Sequence, residues 1–182
     1  MRIIAGEFKG RRFKSPPRGQ VRPIQDKIKA AVFNVLQEKI IGARVLDLFS
    51  GSGSFGIEAL SRGASHVTFV EADGQLTQLL KQNLQFLGTE EKGLILQGNV
   101  LDIIEELAEA DKMFDIIFSD PPYRQELANL SLLKVAEYAI LTAPGLIITE
   151  THKRELLPEV VKDMVLLRRR LYGGTAVHFY KR

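Results

Sequence analysis

The 182-residue chain contains no cysteine, which excludes a disulfide framework and a thiolate-held metal. Its three histidines, His66, His152 and His178, lie far apart and in no metal-binding spacing, so no metal site is expected. No apolar run approaches the roughly 18 residues that a membrane span needs, and the basic N-terminus is not followed by a signal-peptide core. There is neither an internal repeat nor a low-complexity segment. What remains is 45% hydrophobic and 26% charged, an ordinary globular balance in a length that fits one domain with a substantial core. The expectation is a single domain over residues 1–182, cytoplasmic, metal-free, without a membrane partner and monomeric.

The net charge of +3 hides a segregation. Residues 1–30 carry nine Lys/Arg (Arg2, Lys9, Arg11, Arg12, Lys14, Arg18, Arg22, Lys27 and Lys29) against Glu7 and Asp26, a net of +7. Residues 168–182 add +5 through Arg168, Arg169, Arg170, Lys181 and Arg182, and the stretch between sums to −9. Basic ends on an acidic middle suit a face that meets polyanion phosphate, since each such contact releases counterions. The plain alternative is a solvated basic tail. Ile3, Ile4, Phe8 and Phe13 interleave the first charges and predict a small folded hairpin. Residues 1–23 therefore read as a basic hairpin extension and 24–182 as the core.

Apolar periodicity alternates between helix and strand. Residues 25–41 place Ile28, Ala31, Val32, Val35 and Leu36 at helical spacing, with Gly42 as a stop. Residues 44–49 read as a buried strand, followed by a glycine-rich turn and a helix through about residue 62. Residues 67–71, 93–97, 113–119 and 146–150 predict four more strands, separated by helices over 75–87, 101–110 and 127–141. Short apolar strands alternating with helices imply a parallel sheet covered on both faces. Residues 164–171 and 175–180 are too closely linked, through Tyr172-Gly173-Gly174, for a crossover helix, and predict an antiparallel pair at the sheet's edge.

In an open α/β sheet ligands bind beyond the carboxyl ends of the strands, and four motifs fall there. The first strand runs into Asp47-Leu48-Phe49-Ser50-Gly51-Ser52-Gly53-Ser54-Phe55-Gly56, where glycines permit close backbone approach and a helix start presents free N–H groups. Glu71 ends the second strand, placed to accept both hydroxyls of a ribose. Gln97-Gly98-Asn99-Val100 follows the third, with Asn99 for an adenine edge and Val100 for its face. Asp120-Pro121-Pro122-Tyr123 follows the fourth. Two prolines there make a rigid, donor-free turn, with an acid before it and a flat ring after it, which suits a nucleobase –NH2 group; an ordinary loop is the alternative.

Gly51-x-Gly53-x-x-Gly56 plus an acid also satisfies the dinucleotide fingerprint of an NAD enzyme. Asp47 opposes a pyrophosphate, however, and no basic group follows the loop until Arg62. S-adenosylmethionine (AdoMet) has an amino group, a sulfonium and no phosphate, and Asp47 and Glu71 suit it electrostatically.

Together these motifs resemble the class I AdoMet-dependent methyltransferases that act on exocyclic amines. Within that group the chain is similar, from end to end, to the bacterial 16S ribosomal RNA guanine-N2 methyltransferase family. The similarity is carried by Arg2-Ile3-Ile4-Ala5-Gly6-Glu7-Phe8-Lys9-Gly10-Arg11-Arg12, by Arg22-Pro23 with Asp26 and Phe33-Asn34-Val35-Leu36, by Ser50-Gly51-Ser52-Gly53 with the run from Glu58 to Ala64, and by Tyr172-Gly173-Gly174-Thr175. It implies a Rossmann-like fold: a seven-stranded, mostly parallel sheet with an antiparallel edge strand, helices on both faces and a small N-terminal β-hairpin. It further implies Asp120, Pro121, Pro122 and Tyr123 as catalytic residues. Asp47, Phe49, Ser50, Gly51, Gly53, Glu71, Ala72, Asn99, Val100 and Asp120 would bind AdoMet, leaving S-adenosylhomocysteine as product. Arg2, Lys9, Arg11, Arg12, Arg22 and Arg124 would contact ribosomal RNA, within the small subunit. Ile24-Gln25 replaces the family's usual threonines, Lys27 an arginine, and Asn99 a common aspartate. The alternatives are an adenine-N6 or cytosine-N4 methyltransferase and a catalytically silent nucleic-acid-binding module. His178 reads as a packing or surface residue, and Tyr172 as either an RNA contact or a cap on the sheet edge.

Overall fold

The computed structural model describes residues 1–15, 26–122 and 126–182. Arg18, Arg22, Ile24, Gln25, Tyr123 and Arg124 therefore lie outside the described residues. Among the described residues the chain alternates strand and helix as the periodicity predicts: α1 (Asp26–Leu36), β1 (Arg44–Leu48), α2 (Ser54–Ser61), β2 (His66–Glu71), α3 (Gly74–Leu87), β3 (Gly93–Gln97), α4 (Val100–Glu109), β4 (Phe114–Ser119), α5 (Leu127–Tyr138) and β5 (Leu141–His152). Three antiparallel strands close the chain: β6 (Val160–Val161), β7 (Met164–Tyr172) and β8 (Thr175–Lys181).

The strands lie in the order β3-β2-β1-β4-β5-β8-β7-β6, with β1 to β5 parallel. The order reverses between β1 and β4, so a crevice opens at their carboxyl ends. α1, α2 and α3 pack on one face with Ile148, Val177 and Phe179, while α4 and α5 cover the other with Leu46, Ile117 and Tyr180. Capping sets two of the helix ends. Asp73 accepts from the N–H groups of Gln75 and Leu76 at the start of α3, and Gly88, at φ 71°, closes it.

The structure departs from the sequence pattern at three places. α1 stops at Leu36 and continues as a 3-10 turn over Gln37–Ile40. The last predicted helix ends at Tyr138, and β5 begins at Leu141, running through Pro144-Gly145. Its register against β4 shifts between Phe114 and Ile116, and such an irregularity accommodates a proline that has no N–H to give the ladder. β6 adds an eighth, two-residue strand beyond the expected seven, too short to leave a periodic signal. The paired C-terminal strands are found where predicted, with β8 inserted between β5 and β7.

The N-terminal segment forms a hairpin with one antiparallel bridge, Arg2 to Arg12, rather than two full strands. It is part of the main core: Ile3 and Phe13 are buried with α1 and α2. Gly6, at φ 83°, crosses α2 so closely that a Cβ there would lie 1.8 Å from the Ser61 carbonyl oxygen. The anchor is Glu58 on α2, which is 0% exposed. Its two carboxylate oxygens accept the backbone N–H of Ile4 at 2.8 Å, the N–H of Ala5 at 3.0 Å and Arg62 Nε at 2.8 Å. Lys29 Nζ of α1, 1% exposed, lies 3.4 Å away, and burial holds its ammonium below the usual lysine range. Removing one partner of a buried pair strands the other charge. Glu58→Ala should therefore cost about 3–5 kcal/mol in denaturant unfolding, and it should release the N-terminal segment to proteolysis well before the sheet unfolds. A variant with unchanged midpoint and unchanged protease resistance would show that Glu58 is not the anchor.

Candidate cofactor and acceptor site

A cavity of about 640 Å³ opens at the carboxyl ends of β1, β2, β3 and β4. Asp47, Phe49, Ser50, Glu71, Ala72, Asn99, Val100, Asp120, Pro121 and Pro122 all line it, so these sequence-predicted residues are brought together. Gly51 and Gly53 shape the loop without lining the cavity. Gly53, at φ 80°, begins α2 in a left-handed conformation, and a Cβ there would meet Leu80 at 2.3 Å. The Gly51 N–H donates to Glu71 Oε2 at 2.8 Å, and the Asp73 N–H to Oε1 at 2.9 Å. Glu71 is thus fixed between the ends of β1 and β2, with lone pairs to spare on both oxygens.

Asp47 is buried at the cavity wall, and its Oδ2 accepts the Gly56 N–H at 2.9 Å. That bond ties β1 to the first turn of α2, a structural task combined with the ligand-facing one. Burial pushes the Asp47 carboxyl up to about 8; the Gly56 hydrogen bond opposes this, and Asp120 and Glu71 add to it. Asn99 caps α4, its Oδ1 accepting the Leu101 N–H at 2.8 Å. The same oxygen keeps one lone pair for an amine, and the side-chain NH2 remains to donate.

The sequence reading passed over several contributors. Met1, Ser52, Ser54, Phe55, Leu76 and Phe118 also line the cavity. Phe33, Phe55 and Phe118 form a stacked column, with centroids 4.7 Å and then 3.8 Å apart, beneath the strand end that carries Asp120. The apolar positions in α1, α2 and β4 announce a core but not this alignment. Phe49 adopts φ 59°, a left-handed conformation that a non-glycine residue holds only where its surroundings enforce it.

Other expectations sort as follows. Arg2, Lys9, Arg11 and Arg12 are exposed on the N-terminal segment, whereas Arg22, Tyr123 and Arg124 lie outside the described residues. Two of the five basic residues at the C-terminus, Arg169 and Arg182, are engaged within the fold. Arg169 Nη2 donates to the Lys153 carbonyl at 2.6 Å. Arg182 donates to Asp163, Ala139 and Leu141, at the end of the sheet away from the cavity. His178 is buried, bonds Thr151 Oγ1 at 3.0 Å through Nε2, and burial pushes it down to about 4, a packing role. Tyr172 is partly buried against the core, which leaves both readings of it open.

Among its described lining residues the cavity has four carboxylates, Asp47, Glu71, Asp73 and Asp120, and no lysine, arginine or histidine. Ser50 Oγ, which also faces this wall, is buried with no hydrogen-bond partner among the described residues. Such a wall repels a pyrophosphate and suits a cationic ligand with hydroxyls and an apolar, planar part. These residues fit AdoMet. Among the described residues no group of three or more His, Cys, Asp and Glu is placed to hold a metal ion, and no helix is long and apolar enough to cross a membrane.

Residues 1–181 match the family described as Conserved hypothetical protein 95. The chain belongs to this family. YlbH of Bacillus subtilis is 39% identical over 100% of this chain and 99% of its own length. Ribosomal RNA small subunit methyltransferase D of Escherichia coli is 32% identical over 100% of this chain and 90% of its own. The solved structure of Escherichia coli yhhF covers 100% of this chain and 97% of its own, with a TM-score of 0.89 and 31% identity. The architecture is the Rossmann-like α/β fold of class I methyltransferases.

A carboxyl whose folded pKa is raised favours the folded state at low pH and loses that contribution as pH rises through the folded value. Asp47 ordinarily ionises near 3.8 and here near 8. Asp47→Asn keeps an acceptor for Gly56 and removes the titration. The ligand-free wild type should lose stability relative to Asp47→Asn as pH rises from about 4 to about 8, as thermal unfolding across pH would read. A difference that stays constant with pH would contradict the raised value.

Proposed function

We propose that this protein transfers a methyl group from AdoMet to the exocyclic N2 amine of a guanine in small-subunit ribosomal RNA. The observation that carries the reading is the junction of an Asp120-Pro121-Pro122 turn with a cavity walled by carboxylates and free of cationic side chains among its described residues. Full-length similarity to a small-subunit ribosomal RNA methyltransferase supports the class of substrate.

AdoMet, when bound, supplies an electrophilic methyl on a cationic sulfur. Glu71 would hold its ribose hydroxyls, Asp47 and Ser50 its charged amino-acid part, and Asn99 and Val100 the adenine. The acceptor amine is a poor nucleophile because its lone pair is delocalised into the base. The Asp120 carboxylate and the Pro121 carbonyl accept its two N–H hydrogens, which favours a pyramidal nitrogen and aims the lone pair at the methyl. Tyr123 would stack on the base and fix its plane. The C–N bond would form as the S–CH3 bond breaks, the bonding pair leaving with the sulfur of S-adenosylhomocysteine, and the positive charge passed to nitrogen would be stabilised by the Asp120 carboxylate beside it. The proton leaves after transfer, so no strong general base is needed. A paired guanine would be hidden, so the target base is unpaired or turned out of its helix.

Two measurements test this. Incubation with labelled AdoMet and either naked ribosomal RNA or assembled small subunits, followed by nucleoside analysis, should yield N2-methylguanosine. N6-methyladenosine or N4-methylcytidine would transfer the reading to another base. Asp120→Ala should abolish turnover while calorimetry shows AdoMet affinity nearly unchanged; equal loss of both would remove Asp120 from the acceptor side.

A further inference from the structure

Arg11 does not extend freely into solvent. Its guanidinium carbon lies 5.6 Å from the centroid of the Phe8 ring and 5.0 Å from that of Phe86, over both rings. Its Nη2 donates to the Phe86 carbonyl oxygen at 3.0 Å. Phe8 is anchored in turn, partly buried against the core and donating its N–H to Ser61 Oγ at 3.0 Å. The result is a ring, a guanidinium and a ring held between the N-terminal hairpin and the last turn of α3. Phe86 is 58% exposed, so much of its ring surface faces solvent after Arg11 has covered its share.

Packing Arg11 explains why position 86 is apolar, and the part of its ring that stays exposed offers a flat face on which a second planar group can stack. The charge around it says what. Residues 1–15 carry Arg2, Lys9, Arg11, Arg12 and Lys14 against Glu7 alone. Arg2, Lys9, Arg11 and Arg12 are exposed, and the bridge between Arg2 and Arg12 turns those two side chains to one side of the hairpin. A flat π surface beside closely spaced cations matches a polymer that offers a planar base and a phosphate in every unit, which is single-stranded nucleic acid. An acidic protein segment would answer the charges and leave the ring without a counterpart.

Resting on the RNA methyltransferase reading, we propose that the Phe8–Arg11–Phe86 stack is a docking platform for an unpaired nucleobase of the RNA substrate, with Arg2, Lys9 and Arg12 holding the flanking phosphates. The hairpin joins this platform to the reaction site. The N–H of Phe13 donates to the Met1 carbonyl at 3.1 Å, and Met1 lines the cavity. RNA held at the platform is therefore held on the same segment that walls the acceptor site, and since Phe86 lies about 15 Å along α3 from the cavity-lining Leu76, the docked base is one several nucleotides away from the base being modified.

Phe86→Ala removes an exposed ring and leaves the core intact. Expected for this variant is about tenfold weaker binding to the RNA or particle that the wild type methylates, with unchanged AdoMet affinity and an unchanged slope of log affinity against log salt. Phe86→Trp should restore binding. Lys9→Ala should instead flatten the salt slope by up to about one unit, since a phosphate contact is lost. A wild type that methylates RNA while Phe86→Ala binds and methylates equally well would overturn the platform alone. So would a Phe86→Ala protein whose one change is loss of self-association, which would assign the surface to a second copy of the chain. A wild type that neither binds nor methylates RNA would overturn both readings.

Discussion

A buried negative charge, Glu58, holds the functional parts in register. It stands at the middle of the cofactor-side helix α2 and is satisfied by groups from three directions: the backbone of Ile4 and Ala5, the Arg62 side chain one turn on, and Lys29 of α1. A carboxylate removed from water tolerates no partial solution, because each unfilled lone pair carries its full desolvation penalty. The N-terminal segment is thereby forced to lie along α2 rather than float as a basic tail. Lys29 also reaches Ser54 Oγ at 3.4 Å, and Ser54 lines the cavity. One polar cluster therefore sets the place of the basic segment, of α1 and of the loop that faces the ligand.

The cavity depends on a second tension of the same kind. Asp47 and Glu71 are each given a backbone donor, from Gly56 and Gly51 respectively, and among the described residues neither forms an ion pair with a cation. The backbone dipoles position both carboxyl groups without supplying a counter-charge; burial keeps the Asp47 carboxyl protonated up to about 8, and a cationic ligand beside it favours the ionised form. The glycine loop that superficially matches a dinucleotide fingerprint is used here in the opposite electrostatic sense. Its N–H groups are directed in part at acidic side chains of the protein, and not all toward a phosphate.

Much of this was legible in the sequence because it rests on local rules. Glycines demanded by a left-handed turn, an acid at each of three strand ends and prolines after β4 can be found from spacing alone, and the alternating periodicity orders the strands. The partners that fix those residues were not legible. Nothing near Glu58 in the chain announces Ile4, Ala5 or Lys29, since the pairing spans the fold. Arg169 and Arg182 counted as surface charge until their carbonyl partners across the sheet were seen. Asn99, read for its hydrogen-bonding edge, also serves as the cap of α4, and Phe86 falls within the helix predicted over 75–87 with no local signal of its own. In each case composition identifies the group and tertiary contact decides its task.

The charge segregation noted in the sequence resolves into two surfaces with one wall between them. Arg2, Lys9 and Arg12 face outward from the hairpin, whereas Asp47, Glu71 and Asp120 face into the cavity. Ile3, Phe13, Phe33 and Phe55, all buried, occupy the layer between hairpin, α1 and α2. This packed layer keeps the two sets of charges physically apart, so opposite potentials stand on its two sides without forming ion pairs. On the proposed function, that arrangement answers the problem of bringing two ligands of opposite charge, a polyanion and a sulfonium, to one strand end. Each is drawn by a field that repels the other. The exposed basic face is open to screening by salt while the enclosed carboxylates are not, so the two binding events are separable even though one hairpin walls both.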